Sequence, residues 1–143
     1  MVTTETLRIV TRGQGDVHDL TADVARAVSS ACLWSGIVTV FVTGSTAGVT
    51  TIEFEPGVVS DLDRAFERVA PRRGDYAHHL RWGDENGSSH VRAAMLGPSV
   101  TVPVTDGRLA LGTWQQLVLV EFDVGPRDRH VIVQALGEGA AGV

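Results

Sequence analysis

The residues of this sequence best suited to chemistry are its histidines, one strand carboxylate and a loop of small residues. His78 and His79 stand in a long polar stretch, and His90 follows in the first turn of an expected helix. Imidazole titrates near neutral pH and is a common metal ligand. His78 and His90 are too far apart in sequence to form a metal pair on one helix, and no cysteines accompany them in zinc-finger spacing. Any joint site must therefore be assembled by the fold, and each histidine taken singly also suits a surface or capping role. The helix start around His90 exposes N–H groups that favour an anion. Glu53 closes an apolar strand on the face of Val49 and Thr51. It can serve as a base or metal ligand there, or simply face solvent.

The loop Gly44–Ser45–Thr46–Ala47–Gly48 combines flexible backbone with two hydroxyls. Such loops can bring N–H groups to an oxyanion or phosphate. It lacks the spacing, lysine and following helix of a P-loop, and a plain small-residue turn accounts for it too. Arg92, Arg127 and Arg129 are able to clamp phosphate or carboxylate, or to form structural ion pairs. Trp114 is expected in the core, with a pocket wall as the other reading. Gln115 offers an amide that can orient a ligand.

Composition removes several alternatives. All 12 basic residues are arginine, so a lysine Schiff base, a lysine general base and a Walker-type lysine are excluded. The one cysteine, Cys32, permits no intrachain disulfide or multi-cysteine metal site; it is expected as a small buried residue of a helix. A net charge of −5 disfavours general nucleic-acid or anionic-membrane binding. There is no basic and apolar leader and no apolar run of membrane-spanning length, so the expected location is the cytoplasm.

These residues require a scaffold, and the 143-residue chain is long enough for one domain, 1–143, with a sizeable core. Strands are expected over 7–10, 37–42, 49–54, 100–104, 109–111, 114–122 and 130–136, from runs of β-branched and aromatic residues. Apolar spacing predicts a helix from Leu20 to Ala31, capped by Asp19 or Thr21 and broken by Gly36, and another from Val58 to Val69. Residues 72–87 read as a polar loop. Ser88 or Ser89 is placed to cap a short helix ending at Leu96. The strands at 37–42 and 49–54 are expected to form a hairpin. The small residues of 138–143 are expected to be loosely ordered. Helices between early strands and strands clustered late predict an α+β fold with mainly antiparallel sheet, two longer helices and one short helix.

Taken in order, Val42–Thr43–Gly44–Ser45–Thr46–Ala47–Gly48–Val49–Thr50–Thr51–Ile52–Glu53, Tyr76–Ala77–His78, Asn86–Gly87–Ser88–Ser89–His90–Val91–Arg92, Leu111–Gly112–Thr113–Trp114–Gln115–Gln116 and Gly125–Pro126–Arg127 closely resemble the YjbQ-like family, also called secondary thiamine-phosphate synthase enzymes. The resemblance spans nearly the whole chain. It implies a small α+β fold, a homotrimer, and a polar pocket near subunit boundaries that takes a phosphorylated small molecule. It implies a weak thiamine-phosphate synthase activity, joining a pyrimidine pyrophosphate to a thiazole phosphate. The residues carried over are His90, His78 and Glu53 as catalytic groups, and Ser45, Thr46, Asn86, Arg92, Gln115 and Arg127 around the substrate. His78 and His90 are the natural ligands of a divalent metal, zinc or magnesium. Many members have histidine where this chain has Gly44, which removes one acid, base or ligand. That departure keeps a second reading open, a trimeric metal- or anion-binding protein without turnover.

Overall fold

A computed structural model describes residues 1–141, and for Trp82 the backbone alone. The chain runs β1 (Val2–Val10), β2 (Val17–Asp19), α1 (Thr21–Ser30), β3 (Leu33–Thr43), β4 (Ala47–Ile52), α2 (Pro56–Val69), α3 (Ala77–Trp82), α4 (Gly87–Leu96), β5 (Ser99–Thr105), β6 (Arg108–Leu109), β7 (Gln116–Glu121) and β8 (Asp128–Gly139). Two antiparallel sheets form, one of five strands ordered β1-β8-β3-β5-β6 and one of three ordered β2-β7-β4. The fold is α+β with mostly antiparallel strands, as expected.

Alternation builds the layers. In β7, Leu117 and Leu119 face the core between the sheets, where they join Val38, Val40, Val42, Val131, Val133 and residues Leu20, Val24 and Val28 of the α1 region. Val118 and Val120 face the other way, and with Phe122 they meet Phe66 of α2 and Ala93 of α4. Thus α2 and α4 cover the outer face of the three-stranded sheet. Pro56 starts α2, and the Glu55 carboxylate caps it by accepting the N–H groups of Gly57 and Val58 at 2.7 and 2.8 Å. The N-cap of α1 is Leu20, without a side-chain cap, rather than Asp19 or Thr21; Asp19, just ahead of it, accepts the Thr21 N–H, and Thr21 Oγ1 accepts the Leu117 N–H.

Several expectations are corrected. The strands β3 and β4 are not a hairpin: β4 pairs with β7 in the other sheet, so Gly44–Thr46 is the bend between sheets. Gly36 does not end α1, which stops at Ser30; Gly36 lies within β3. Cys32 is exposed, beyond the helix, at φ 54. Residues 77–82 form α3 inside the stretch read as loop. The N-cap of α4 is Asn86, and Ser88 and Ser89 are buried inside the helix. Trp114 precedes β7 and is 73% exposed, not core. Glu138 and Gly139 belong to β8, whereas 142–143 lie outside the described residues.

Candidate functional site

The short helix α3 and the start of α4 bring two of the sequence candidates together. His79 accepts the Gly87 N–H at 3.0 Å on Nε2, and its ring meets Tyr76 edge-on at 5.3 Å. That contact satisfies one of the free N–H groups of α4 and fixes α3 against it. The His78 and His90 rings consequently stand 4.6 Å apart at 56°. His78 Nε2 is 3.2 Å from Asp84 Oδ1. His90 lines a cleft of about 240 Å³ with Gly44, Ser45, Ala47, Ala93, Ala94 and Pro98. The bend between the sheets and one face of α4 are therefore its two walls.

Beneath this cleft lies a polar cluster that the sequence only hinted at. Asp123, 2% exposed, accepts from Thr46 Oγ1 at 3.0 Å, Arg127 Nε at 2.8 Å, the Val124 N–H at 2.8 Å and Asn86 Nδ2 at 3.4 Å. Burial alone raises its pKa, but these donors outweigh it and hold the carboxyl below its ordinary value. Glu121, fully buried, takes Arg129 Nε and Nη2 at 2.7 and 2.8 Å. Its carboxyl is raised: burial is the largest cause and the Asp123 charge adds to it, against the pull of Arg129. Arg129 Nη2 also donates to Thr46 Oγ1 at 2.7 Å, which links the two carboxylates through one hydroxyl. A glutamate and an aspartate in the otherwise apolar run 117–124 were the available signal, since a charge in a buried strand needs a partner.

The other candidates divide clearly. Ser45 and His90 face the cleft; Thr46 and Asn86 lie below it as hydrogen-bonding supports. Arg127 sits at the edge, with its side chain 54% exposed and paired to Asp123. Arg92 is 2% exposed. It donates to the Ala70 carbonyl at 2.8 Å and to Glu67 at 2.6 Å, so it ties α4 to the end of α2. Glu53 and Gln115 stand elsewhere. The register pairs Ala47 with Glu121 and Ile52 with Gln116, so Glu53, one residue past β4, lies about 23 Å of extended chain from Thr46 at the bend. There the Phe54 N–H donates to Gln116 Oε1 at 2.9 Å and Gln115 Nε2 donates to Thr51 at 3.2 Å. One chain thus joins His78 to His90 but not to Glu53 or Gln115. Among the described residues, no three His, Cys, Asp or Glu side chains gather as a metal cluster. No described helix is long and apolar enough to cross a membrane.

Comparison with known proteins agrees with this architecture. The family model described as "UPF0047 protein YjbQ-like" matches residues 5–138. A UPF0047 protein of Archaeoglobus fulgidus is 39% identical over 130 residues, covering 91% of this chain and 98% of the relative. The crystal structure of a YbjQ-like protein of unknown function from Sulfolobus solfataricus P2 superposes with a TM-score of 0.87 at 30% identity, covering 96% of this chain and 100% of that one. A hypothetical protein from Aeropyrum pernix K1 gives 0.83 at 34% identity, covering 94% and 99%.

Proposed function

Because this chain belongs to the YjbQ-like UPF0047 family, we propose that it binds a phosphorylated small molecule in the cleft beside His90 and supports a weak thiamine-phosphate synthase reaction, working as a homotrimer. The observation that carries this reading is the approach of His78 to His90, with centroids 4.6 Å apart, at the mouth of a cleft walled by Gly44 and Ser45. In the reaction a thiazole ring nitrogen attacks an activated methylene and pyrophosphate departs with the bonding pair. The departing anion needs donors, and the Ser45 hydroxyl and the His90 imidazole supply them. An imidazole near neutral pH can also hand over a proton as the leaving charge develops. The buried pair Glu121–Arg129 holds Thr46 and thereby the bend from which Ser45 projects.

The test is product formation from the pyrimidine pyrophosphate and thiazole phosphate, followed by chromatography and by pyrophosphate release. Wild type is expected to turn over slowly. His90→Ala is expected to lower the rate about 100-fold, the low end of what a positioned acid contributes. Equal rates for the two proteins would remove His90 from the mechanism. Calorimetric binding of pyrophosphate without any product would favour the second reading, an anion-binding trimer without turnover, for which the glycine at 44 in place of a base speaks.

A further inference from the structure

Gly44 lines the cleft beside His90, and a buried guanidinium stands behind it. Arg129 is 5% exposed. It meets Glu121 side-on, with Nε and Nη2 at 2.7 and 2.8 Å from the two carboxylate oxygens. Nη2 also donates to Thr46 Oγ1 at 2.7 Å. A guanidinium carries five N–H groups, and these bonds use three of them. The other two are on Nη1, the arm that a side-on pair turns away from its carboxylate. Among the described residues Nη1 has no acceptor. Arg72 Nε is the one described side-chain atom that is both unpartnered and sealed from water, so Nη1 is unpartnered but reachable.

The way to it leads past Gly44. The register sets Thr43 opposite His130, which brings Arg129 beneath the first residue after β3. A Cβ on Gly44 would stand 2.7 Å from Nη1 and 3.9 Å from Cζ, so the free arm lies where a side chain at position 44 would be. The backbone there takes φ 143, a conformation that suits glycine. We propose that Arg129 Nη1, reached past Gly44, is the donor that takes a phosphoryl oxygen of the ligand, with Ser45 and His90 beside it. Glu121 already balances the charge of Arg129, so recognition rests on two directed N–H groups rather than on a free positive charge. Donors from three separate segments suit the three oxygens of a phosphoryl group better than the two of a carboxylate. The remaining walls, Ala47, Ala93, Ala94 and Pro98, are apolar and small. The ligand class is therefore a small phosphate ester with its anionic head at Gly44 and an apolar body along α4. The inference rests on the functional reading above for the cleft and for the phosphorylated ligand. Its test uses neither pyrimidine nor thiazole and measures no product, so the two readings fail on different results.

The experiment is calorimetry of inorganic phosphate, and separately of acetate, into the full-length protein. Wild type is expected to bind phosphate, to bind acetate more weakly, and to melt higher in phosphate because the anion binds the folded state. Arg129→Lys keeps a cation for Glu121 but removes the second arm. Gly44→Ala sets a methyl group against that arm. Each is expected to lose phosphate affinity about tenfold or more, the worth of one hydrogen bond to a charged group. Arg26→Lys, an exposed arginine of α1, is expected to bind as wild type. Melting curves without phosphate establish which variants fold. Crystals of wild type grown with phosphate need no variant, and are expected to hold an oxygen within about 3 Å of Nη1. Absence of phosphate binding by wild type, or a phosphate seated away from Nη1, would overturn the proposal. Unchanged affinity in either folded variant would do the same, and would leave the cleft of the functional reading without a role for Arg129. Acetate binding as tight as phosphate would overturn the phosphoryl assignment.

Discussion

A single aspartate shows how residue chemistry sets this protein's response to acid. Asp16 is buried to 9% exposure and accepts the Arg12 N–H at 2.9 Å, His18 Nε2 at 2.8 Å and Arg12 Nη2 at 3.3 Å. Burial raises its carboxyl, but these donors prevail and the net shift is downward. The unfolded chain therefore binds its proton more readily than the folded one. The resulting stability is present above the ordinary carboxylate range and is lost as pH falls through the lowered folded value. Asp123 is shifted in the same direction. Urea unfolding of Asp16→Asn at pH 6 and pH 3 is the check: the variant is expected to lose stability at pH 6 and to change less than wild type between the two pH values. An equal pH dependence in both would show that Asp16 is not among the groups that titrate on folding. At this scale residue type and neighbours singled out His78, His90 and Ser45, which the fold places near one another, whereas Asn86 was named only through the family resemblance. It assigned Arg92 to a ligand, because an arginine looks the same whether its carboxylate partner is a substrate or Glu67. Asp84 read only as a turn residue, since nothing local reveals that the turn points at His78.

Elements position those residues through close backbone approach, and Gly48 is the sharpest case. It lies in β4, and a Cβ there would meet Leu96 Cδ2 at 2.7 Å and the Gly97 carbonyl at 2.9 Å. The Val49 N–H donates to that same carbonyl at 3.0 Å, so α4 ends directly on the strand. A leucine tip can rotate away; a carbonyl held by a hydrogen bond cannot. Gly48→Ala is expected to destabilise the fold by about 1–3 kcal/mol, the usual range for overpacking, read from the urea midpoint at constant slope. The seating of α4 carries His90, so the cleft should widen as well. An unchanged midpoint would show that α4 shifts freely on β4. Apolar periodicity found α1 and α2, whereas α4 was read from its capping serines and its end at Leu96, and the face it buries is Gly87, Ser88, Ser89, Arg92 and Ala93. It missed α3, whose six residues are too few for a period and which depends on the His79 contact to Gly87. It shortened β1, where Thr3, Thr4, Glu5 and Thr6 are exposed and Leu7 begins the buried part. It joined β3 to β4 because nearness along the chain suggests a hairpin, whereas the pairing of β4 with β7 is a long-range contact that local patterns do not encode.

For the whole molecule the unsettled surface is the outer face of the five-stranded sheet. Alternation sends Val38, Val40 and Val42 of β3 fully into the core and leaves Ile37 and Phe41 on the other side, 39% and 38% exposed. The register sets Ile37 between Leu136 and Pro103, and Phe41 between Ile132 and Ser99. Leu136 is 49% exposed and Val2, its partner on β1, 60%. The polar members of this face, Thr39 with Thr101 and Gln134 with Thr4, bond to each other at 3.4 and 3.2 Å. Two exposed apolar rows, separated by this self-satisfied polar row, are costly to leave in water and suit a second copy of the same chain. If the proposed homotrimer uses this face, light scattering should give a mass three times the 15.2 kDa of the chain. Phe41→Asp should shift the mass downward and lower the melting temperature, and the concentration dependence of melting expected of the associating wild type should fade in the variant. Retention of the trimer in Phe41→Asp would move the interface to another surface. A wild-type mass of one chain would remove the trimer, and Glu53 and Gln115 would then have no route to the histidine cleft, since one chain holds them at the far end of β4, about 20 Å from its wall at Ala47.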